Sequence, residues 1–315
     1  MMNLPLAQGL TFGFQGRMET PDQTLDTITL AERYNFSWLT LGDHLSFAVP
    51  VLDPLIQMAA AAALTRKVGM LTAVYLLPLR HPAAVAKQVA TLDRMTEGRL
   101  IFGVGIGGEF ASDYEVVGVP IHERGARLSE GIQVLRKLWT GEKVRHEGRF
   151  YSFRDIQMLP APVQPGGPPI WVGGRSDSAL RRAGELGDGY ISYVVTPDMF
   201  QSALEKIALA AGAAKRPLDK FGTAHVLFVR MGKNREEALE HATKHLSIRY
   251  AMDFRRAAGR YCALGRPADV AETLRQFHVA GVRTMVIDII GEPPEQDDQL
   301  RQFAEEVMPL VAALK

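Results

Sequence analysis

Short apolar segments alternate with amphipathic segments along almost the whole chain. After Pro82, for example, Val85, Val89 and Leu92 recur at the spacing of one helix face. Apolar segments of strand length occupy eight positions: 10–15, 37–41, 67–74, 100–104, 170–172, 189–193, 224–230 and 282–289. Eight strands that alternate with eight helical segments predict a (β/α)8 barrel, the TIM barrel, with right-handed connections.

The alternation breaks between residues 141 and 169. The segment HEGRFYSF predicts two short strands joined by a two-residue turn, and the proline-rich PAPVQPGGPP predicts a surface connection. We therefore expect a hairpin or loop insertion between the fourth helix and the fifth strand. Because the alternation resumes directly after it, we expect one domain over residues 1–315.

The charge balance and the single cysteine limit the possible functions. The chain carries 36 basic and 35 acidic residues, which gives no reason to expect nucleic acid or an anionic membrane as a partner. Cys262 is the only cysteine, so disulfides within the chain and cysteine-based zinc sites are excluded. The N-terminus has neither a basic start nor an apolar segment of signal length, so we expect a cytoplasmic protein.

The fourth strand runs into glycine as it ends, in the segment GRLIFGVGIGGEF. Gly103, Gly105 and Gly107 fall on one face, because side chains alternate along a strand. A strand face without side chains is predicted to leave room for a flat ligand. Glu109 stands at the edge of that space.

In a (β/α)8 barrel the functional site lies at the C-terminal ends of the strands. His44 and Glu109 form a candidate acid/base pair there, on the loops after the second and fourth strands. The turn GGRS at residues 173–176 begins a helix, and its N–H groups, hydroxyl and guanidinium suit a phosphate monoester. The alternative is that this turn is only a tight strand-to-helix connection.

Two other patterns match motifs only by letter. Gly103-x-Gly105-x-x-Gly108 matches the dinucleotide fingerprint, but it sits in the fourth βα unit instead of the first, and no clear helix follows at once. His241 and His245 have the i, i+4 spacing of a zinc pair, but their helix is charged and the sequence shows no obvious third ligand nearby. We therefore expect a solvated helix face there and no metal site.

Several long segments together resemble the bacterial luciferase-like superfamily, and within it the coenzyme F420-dependent branch. These segments are Asp43-His44, LPLRHPAAVAKQVATLDRMTEGRLIFGVGIGG, ERGARLSEGIQVLRKLWTG, GRFYSF and PPIWVGGRSDSALRRAGELGDGYI. The resemblance implies a (β/α)8 barrel with insertions, usually a homodimer. Such a barrel holds a flavin or deazaflavin at the C-terminal ends of its strands.

The resemblance also implies roles for individual residues. His44 would take a proton from a substrate alcohol or return one to a reduced product, and Glu109 would donate a proton near the ring. Ala73-Val74 matches a bulge with a non-proline cis peptide behind the ring, and residues 173–176 match the phosphate loop. The implied cofactor-binding residues are Asp43, Thr72, Ala73, Val74, Gly107, Gly108, Gly173, Gly174, Arg175 and Ser176.

The sequence departs from the sugar-phosphate dehydrogenases of this branch at two places. Ala48 stands where they have a tryptophan, and the sixth strand ends in Ser192-Tyr193-Val194-Val195, without the lysine that they keep there. A sugar phosphate is therefore not the expected substrate. The pocket is expected to be more apolar than theirs.

Three functions follow as hypotheses. The first is hydride transfer between F420 and an organic small molecule. The second is a monooxygenase that uses reduced FMN and oxygen and needs a separate flavin reductase, because the chain shows no nicotinamide motif of its own. The third is a flavin-binding protein without turnover, against which the retained Asp43-His44 argues.

Overall fold

The computed structural model describes residues 4–7, 9–107 and 110–314. Its strands are β1 (Thr11–Gln15), β2 (Trp38–Leu41), β3 (Gly69–Thr72), β4 (Leu100–Val104), β5 (Lys143–Glu147), β6 (Ser152–Gln157), β7 (Ile170–Gly173), β8 (Gly189–Tyr193), β9 (Gly222–Met231), β10 (Ala263–Gly265) and β11 (Thr284–Ile289). Its α-helices are α1 (Pro21–Arg33), α2 (Pro54–Ala62), α3 (Pro82–Met95), α4 (Ser112–Glu115), α5 (Arg124–Trp139), α6 (Asp177–Leu186), α7 (Pro197–Ala213), α8 (Arg235–Tyr250), α9 (Arg255–Tyr261), α10 (Pro267–Val279), α11 (Pro293–Gln302) and α12 (Met308–Val311). Within this described part of the chain, every helix is too short or too polar to span a bilayer.

Eight parallel strands close into a barrel. They pair in the order β1-β2-β3-β4-β7-β8-β9-β11, and β11 returns to pair with β1 in the register Thr11↔Thr284 to Phe14↔Ile287. β10 lies outside the ring, paired with the end of β9. At least one helix follows each barrel strand, so the predicted (β/α)8 architecture is confirmed.

Side chains on the barrel strands alternate between two apolar cores. One cluster lies inside the barrel and takes residues from six strands: Leu71, Ile101, Trp171, Ile191, Ala224, Val226 and Val286. The alternate residues, such as Leu39, Met70 and Phe102, belong to the larger core that packs against the helices. Because the strands are parallel, all of their C-terminal ends meet at one rim of the barrel.

The insertion between α5 and β7 contains an antiparallel hairpin of β5 and β6. Its register runs through Glu147↔Ser152, and the Gly148 N–H donates to the Tyr151 carbonyl at 3.0 Å. Only Arg149-Phe150 remain between the strands, so the two-residue turn expected from the sequence is confirmed. The Glu130 carboxylate on α5 accepts the backbone N–H groups of Phe150 and Tyr151. These bonds satisfy N–H groups of the turn and tie the hairpin to α5.

Candidate active site

His44, on the loop after β2, is held by an aspartate that the sequence pattern did not indicate. Its Nδ1 lies 2.8 Å from Oδ2 of Asp113. Asp113 belongs to α4 and is buried, and its Oδ1 accepts the backbone N–H groups of Leu45 and Ser46 at 2.7 and 2.8 Å. Because Nδ1 is engaged in this way, Nε2 is the ring nitrogen available for proton exchange. The sequence signal for Asp113 is weak: an acid shortly beyond the glycine-rich end of β4.

Aromatic rings surround the His44 imidazole. Phe47 stacks on it with ring centroids 4.2 Å apart, and Phe110 meets it edge-on at 5.7 Å. Phe47 also contacts Tyr250 at 6.2 Å, and Tyr250 contacts the buried Phe228 at 6.3 Å. The rim beside His44 is therefore lined by aromatic rings.

Asp43 precedes His44, but its carboxylate contacts protein groups. Arg80 donates to both carboxylate oxygens, at 2.9 Å to Oδ1, and the backbone N–H of Leu76 donates to Oδ2 at 2.8 Å. Burial raises the pKa of Asp43, and the hydrogen bonds from Arg80 oppose that change. Leu76 lies two residues beyond Val74, so Asp43 anchors the segment after β3. The expected contact of Asp43 with the cofactor stays a prediction.

The Ala73–Val74 peptide bond after β3 is cis, as the resemblance implies. The Val74 side chain, however, fills the space beside the glycines of the neighbouring strands. A Cβ atom on Gly105 would overlap Val74 Cγ2, and a Cβ atom on Gly173 would lie 2.8 Å from Val74 Cγ1. The expectation that the glycine face of β4 is open to a flat ligand is therefore wrong. The glycines make room for Val74 instead.

The other cofactor contacts expected near β3 and β4 have separate outcomes. Thr72 is fully buried and its hydroxyl donates to the Gly103 carbonyl at 2.7 Å, which joins β3 to β4. Its expected contact with the cofactor stays a prediction. Gly107 adopts the left-handed region with φ +55°, which favours glycine at that position. Gly108 and Glu109 lie outside the described residues, so their expected roles stay predictions.

The turn at residues 173–176 is built as a helix N-terminus. Ser176 caps α6 by accepting the N–H of Ala179 at 3.3 Å. Gly174 has φ +132°, and a Cβ atom there would lie 2.7 Å from the Ala179 Cβ, so the turn requires glycine. Arg175 and Ser176 are exposed. The Arg175 guanidinium lies over the Tyr193 ring, 5.5 Å from its centroid, and donates to the Val194 carbonyl at 3.5 Å. A helix N-terminus with a guanidinium beside it is an arrangement that suits a phosphate monoester.

This turn and the His44 loop lie at the same rim of the barrel. β2 pairs with β3 up to Leu41↔Thr72, and the Val74 side chain just beyond β3 lies against Gly173 at the end of β7. Val74 therefore stands between the two parts of the candidate site. The sequence prediction that they share one end of the molecule is confirmed.

Two arginines at this rim are paired with carboxylates. Arg249 of α8 donates to both oxygens of Asp288, at 3.0 and 2.8 Å, at the end of β11. Arg230, at the end of β9, pairs with Glu295 of α11 and is itself buried. Both positive charges are therefore balanced within the protein.

His241 and His245 have a third group nearby that the sequence did not reveal. A Glu295 oxygen and one nitrogen from each ring lie within 4.8 Å of one another. The Arg230 guanidinium, however, donates to Glu295 and lies 3.3 Å from His241 Nδ1. Its hydrogen bond lowers the pKa of Glu295. Arg230 thus supplies the positive charge that a metal ion would bring, and we assign no metal site here.

A (β/α)8 barrel with an aspartate-held histidine at its C-terminal rim defines the chain as a barrel enzyme. The chain belongs to the luciferase-like monooxygenase family, whose model matches residues 6–307. It is similar to the F420-dependent glucose-6-phosphate dehydrogenase of Microbacterium testaceum, at 30% identity over 335 residues that cover 95% of this chain and 97% of that relative.

Solved structures of the same fold include two kinds of enzyme. The monooxygenase RslO1 from Streptomyces bottropensis has 25% identity and a TM-score of 0.82, covering 95% of this chain and 99% of that one. An F420-dependent secondary alcohol dehydrogenase in complex with an F420-acetone adduct has 19% identity and a TM-score of 0.83. It covers 96% of this chain and 99% of its own, and this likeness concerns the fold alone.

Proposed function

We propose that this chain is an F420-dependent oxidoreductase that transfers a hydride between the deazaflavin and an uncharged organic substrate. The observation that carries the proposal is His44, held at Nδ1 by a buried carboxylate at the barrel rim. The M. testaceum relative, named as F420-dependent, matches 95% of the chain and supports the choice of cofactor.

The rim has residues that fit the cofactor's phosphate. The N-terminus of α6 offers backbone N–H groups, the Ser176 hydroxyl and the Arg175 guanidinium. The one acidic residue in its first turn, Asp177, is paired with Lys206 at 2.7 Å. The cis segment after β3 would support the ring with the apolar Val74 side chain. When bound, the deazaflavin supplies or accepts a hydride at its C5 atom.

His44 would exchange one proton with the substrate through Nε2. For alcohol oxidation Nε2 accepts the hydroxyl proton, and for carbonyl reduction it returns that proton to the oxygen. Phe47 stacks on the imidazole and Phe110 meets it edge-on, so aromatic rings flank the histidine on two sides. General acid/base help of this kind is worth roughly 10²- to 10⁴-fold in rate.

The pairing of charges supports an uncharged substrate over a sugar phosphate. A phosphate group needs a cation, and Arg80, Arg230 and Arg249 are each already paired with a carboxylate. The wall beside His44 is aromatic instead. In this respect the proposal departs from the M. testaceum relative, whose name specifies glucose 6-phosphate.

The test is turnover of the His44→Ala variant with F420 and a panel of alcohols, ketones and activated alkenes, with glucose 6-phosphate as a comparison. We expect turnover to fall about 10²- to 10⁴-fold while the Kd for F420 is nearly unchanged. His122→Ala, at an exposed position, is the matched control. If cofactor binding collapsed in His44→Ala, the histidine would be structural and the proposal would fail.

A second candidate is an FMN-dependent monooxygenase with a reductase in trans. The likeness to RslO1, at 25% identity over 95% of this chain, favours it. A deazaflavin does not activate oxygen as reduced FMN does. Oxygen-dependent product formation with photoreduced FMN would therefore replace the first proposal with this one.

A further inference from the structure

Asp113 contacts the His44 loop through three hydrogen-bond partners. One carboxylate oxygen accepts the N–H groups of Leu45 and Ser46, and the other faces Nδ1 of His44. The Asp113 side chain is 1% exposed. Both oxygens are thus committed, and each one has a different task.

We propose that Asp113 is a positioning residue that fixes the tautomer of His44, with the proton on Nδ1 and the lone pair on Nε2. An ionised carboxylate has only acceptors, so the group 2.8 Å away at Nδ1 must be an N–H donor. In a neutral imidazole the other nitrogen is then bare. Free histidine prefers the opposite tautomer in water, so this assignment is a property of the folded chain.

The orientation of the ring is fixed from several directions. The two backbone N–H groups hold the Asp113 carboxylate in register with the loop that begins at His44. Phe47 lies parallel to the imidazole, at an interplanar angle of 14°, and Phe110 meets it at 81°. A proton acceptor at Nε2 is therefore held ready before any substrate arrives.

Asp113→Asn should invert the tautomer without releasing the loop. The amide oxygen can keep the bonds to the N–H groups of Leu45 and Ser46, since an NH₂ group cannot accept them. The NH₂ group then faces Nδ1 of His44 and can only donate to it. The neutral His44 ring must then have its lone pair on Nδ1 and its proton on Nε2. Nε2 can no longer accept a proton from the substrate.

The first test reads the tautomer directly in the protein without added cofactor. Protein labelled with ¹⁵N-histidine is examined by long-range ¹⁵N–¹H correlation in alkaline buffer, and the His44→Ala spectrum assigns the His44 signals by difference. We expect the Nδ1–H form in the wild type and the Nε2–H form in Asp113→Asn. A wild-type proton on Nε2, or an unchanged tautomer in the variant, would overturn the proposal. The wild-type spectrum decides the question even if the variant does not fold.

Asp93 offers a matched control elsewhere in the barrel. This buried carboxylate on α3 also accepts two consecutive backbone N–H groups, those of Val163 and Gln164 at 2.8 and 3.0 Å, and one side-chain group. Asp93→Asn therefore removes the same kind of anchor at a distance from His44. We expect it to leave the His44 signals unchanged.

A second test rests on the proposed function. Asp113→Asn should lower kcat about 10²- to 10⁴-fold, the range that the wrong tautomer produces behind a catalytic histidine, with the Kd for F420 unchanged. The double variant with His44→Ala should be no slower than His44→Ala alone, because both changes remove one function. If the fold-losses in kcat of the two single variants multiplied in the double variant, the positioning role would be contradicted. If no substrate is turned over, the proposed function fails. The tautomer spectrum still tests whether Asp113 fixes the His44 tautomer.

Discussion

Adding one methyl group at Gly173 tests how Val74 fills the rim. A Cβ atom there would lie 2.8 Å from Val74 Cγ1, 3.4 Å from Cγ2 and 3.5 Å from the Val104 carbonyl oxygen. Unstrained carbon atoms sit about 3.5–4.0 Å apart, so Val74 would have to retreat by roughly 0.7 Å or more. Movement toward Gly105 is restricted, because a Cβ atom on that glycine would already overlap the other Val74 methyl group.

We expect Gly173→Ala to lower the free energy of unfolding by about 1–3 kcal/mol, the usual cost of overpacking a filled site. The side chain of Val74 is stiff at χ1, which limits relief by a rotamer change. Urea unfolding followed by circular dichroism measures the effect. Gly42→Ala is the control, since its Cβ would meet only the Ala73 carbonyl oxygen at 3.8 Å. That variant should change stability by less than about 1 kcal/mol.

A double-mutant cycle shows whether Val74 is the cause. Val74→Ala removes both methyl groups that Gly173→Ala would meet, so the glycine substitution should be nearly neutral in that background. The coupling free energy should be about 1–3 kcal/mol. Additive effects, within about 0.5 kcal/mol, would mean that Val74 does not occupy this space, and the account of the glycine-rich strand ends would be refuted.

Three further outcomes are expected. Burial lowers the pKa of His225 to about 3. As the pH falls below about 6.5, the imidazole is therefore protonated in the unfolded chain before it is protonated in the folded chain. The free energy of unfolding should fall by about 2 kcal/mol between pH 7 and 5 because of this group. In urea unfolding His225→Gln should lack that loss, and an unchanged pH slope would contradict it. Burial raises the pKa of the Cys262 thiol to about 12, so iodoacetamide at pH 8 should label it only after denaturation; rapid labelling of native protein would count against its burial. Asp43→Ala removes the buried carboxylate that accepts from Arg80 and from the Leu76 N–H, and leaves Arg80 with Asp53 at 3.6 Å. It should lower the free energy of unfolding by about 1.5–3 kcal/mol, the usual cost of a lost hydrogen bond to a charged group. Asp297→Ala, at an ion pair that is more accessible to solvent, should cost under about 1 kcal/mol; equal costs would contradict the anchoring role of Asp43.

The barrel could be predicted because it depends on short-range patterns. The seventh predicted strand, 224–230, lies within β9, and the eighth, 282–289, contains β11. Such segments are apolar because each strand is covered on both faces, by the barrel interior and by the helices. The Ala73–Val74 cis bond came from the resemblance, and no local pattern in the sequence indicates it.

The errors concern contacts between side chains that are distant in sequence. A glycine-bearing strand predicts a gap beside β4. Only the structure shows that Val74, just beyond the neighbouring strand β3, fills that gap. Asp113 lies 69 residues from His44, and its role depends on two loops meeting at the rim. Glu295, the third group beside His241 and His245, likewise comes from another helix. Periodicity fixes which face a residue occupies, but it does not fix which residue lies opposite.

Parallel binding titrations with F420 and with FMN test the central claim most directly. The purified chain is titrated with each cofactor, and binding is followed by the quenching of cofactor fluorescence. The account predicts saturable F420 binding with a Kd at least about tenfold below that of FMN, a difference of about 1.4 kcal/mol, and weaker F420 binding when Arg175→Ala removes the guanidinium at the α6 N-terminus. Tight FMN binding with no saturable binding of F420 would contradict it.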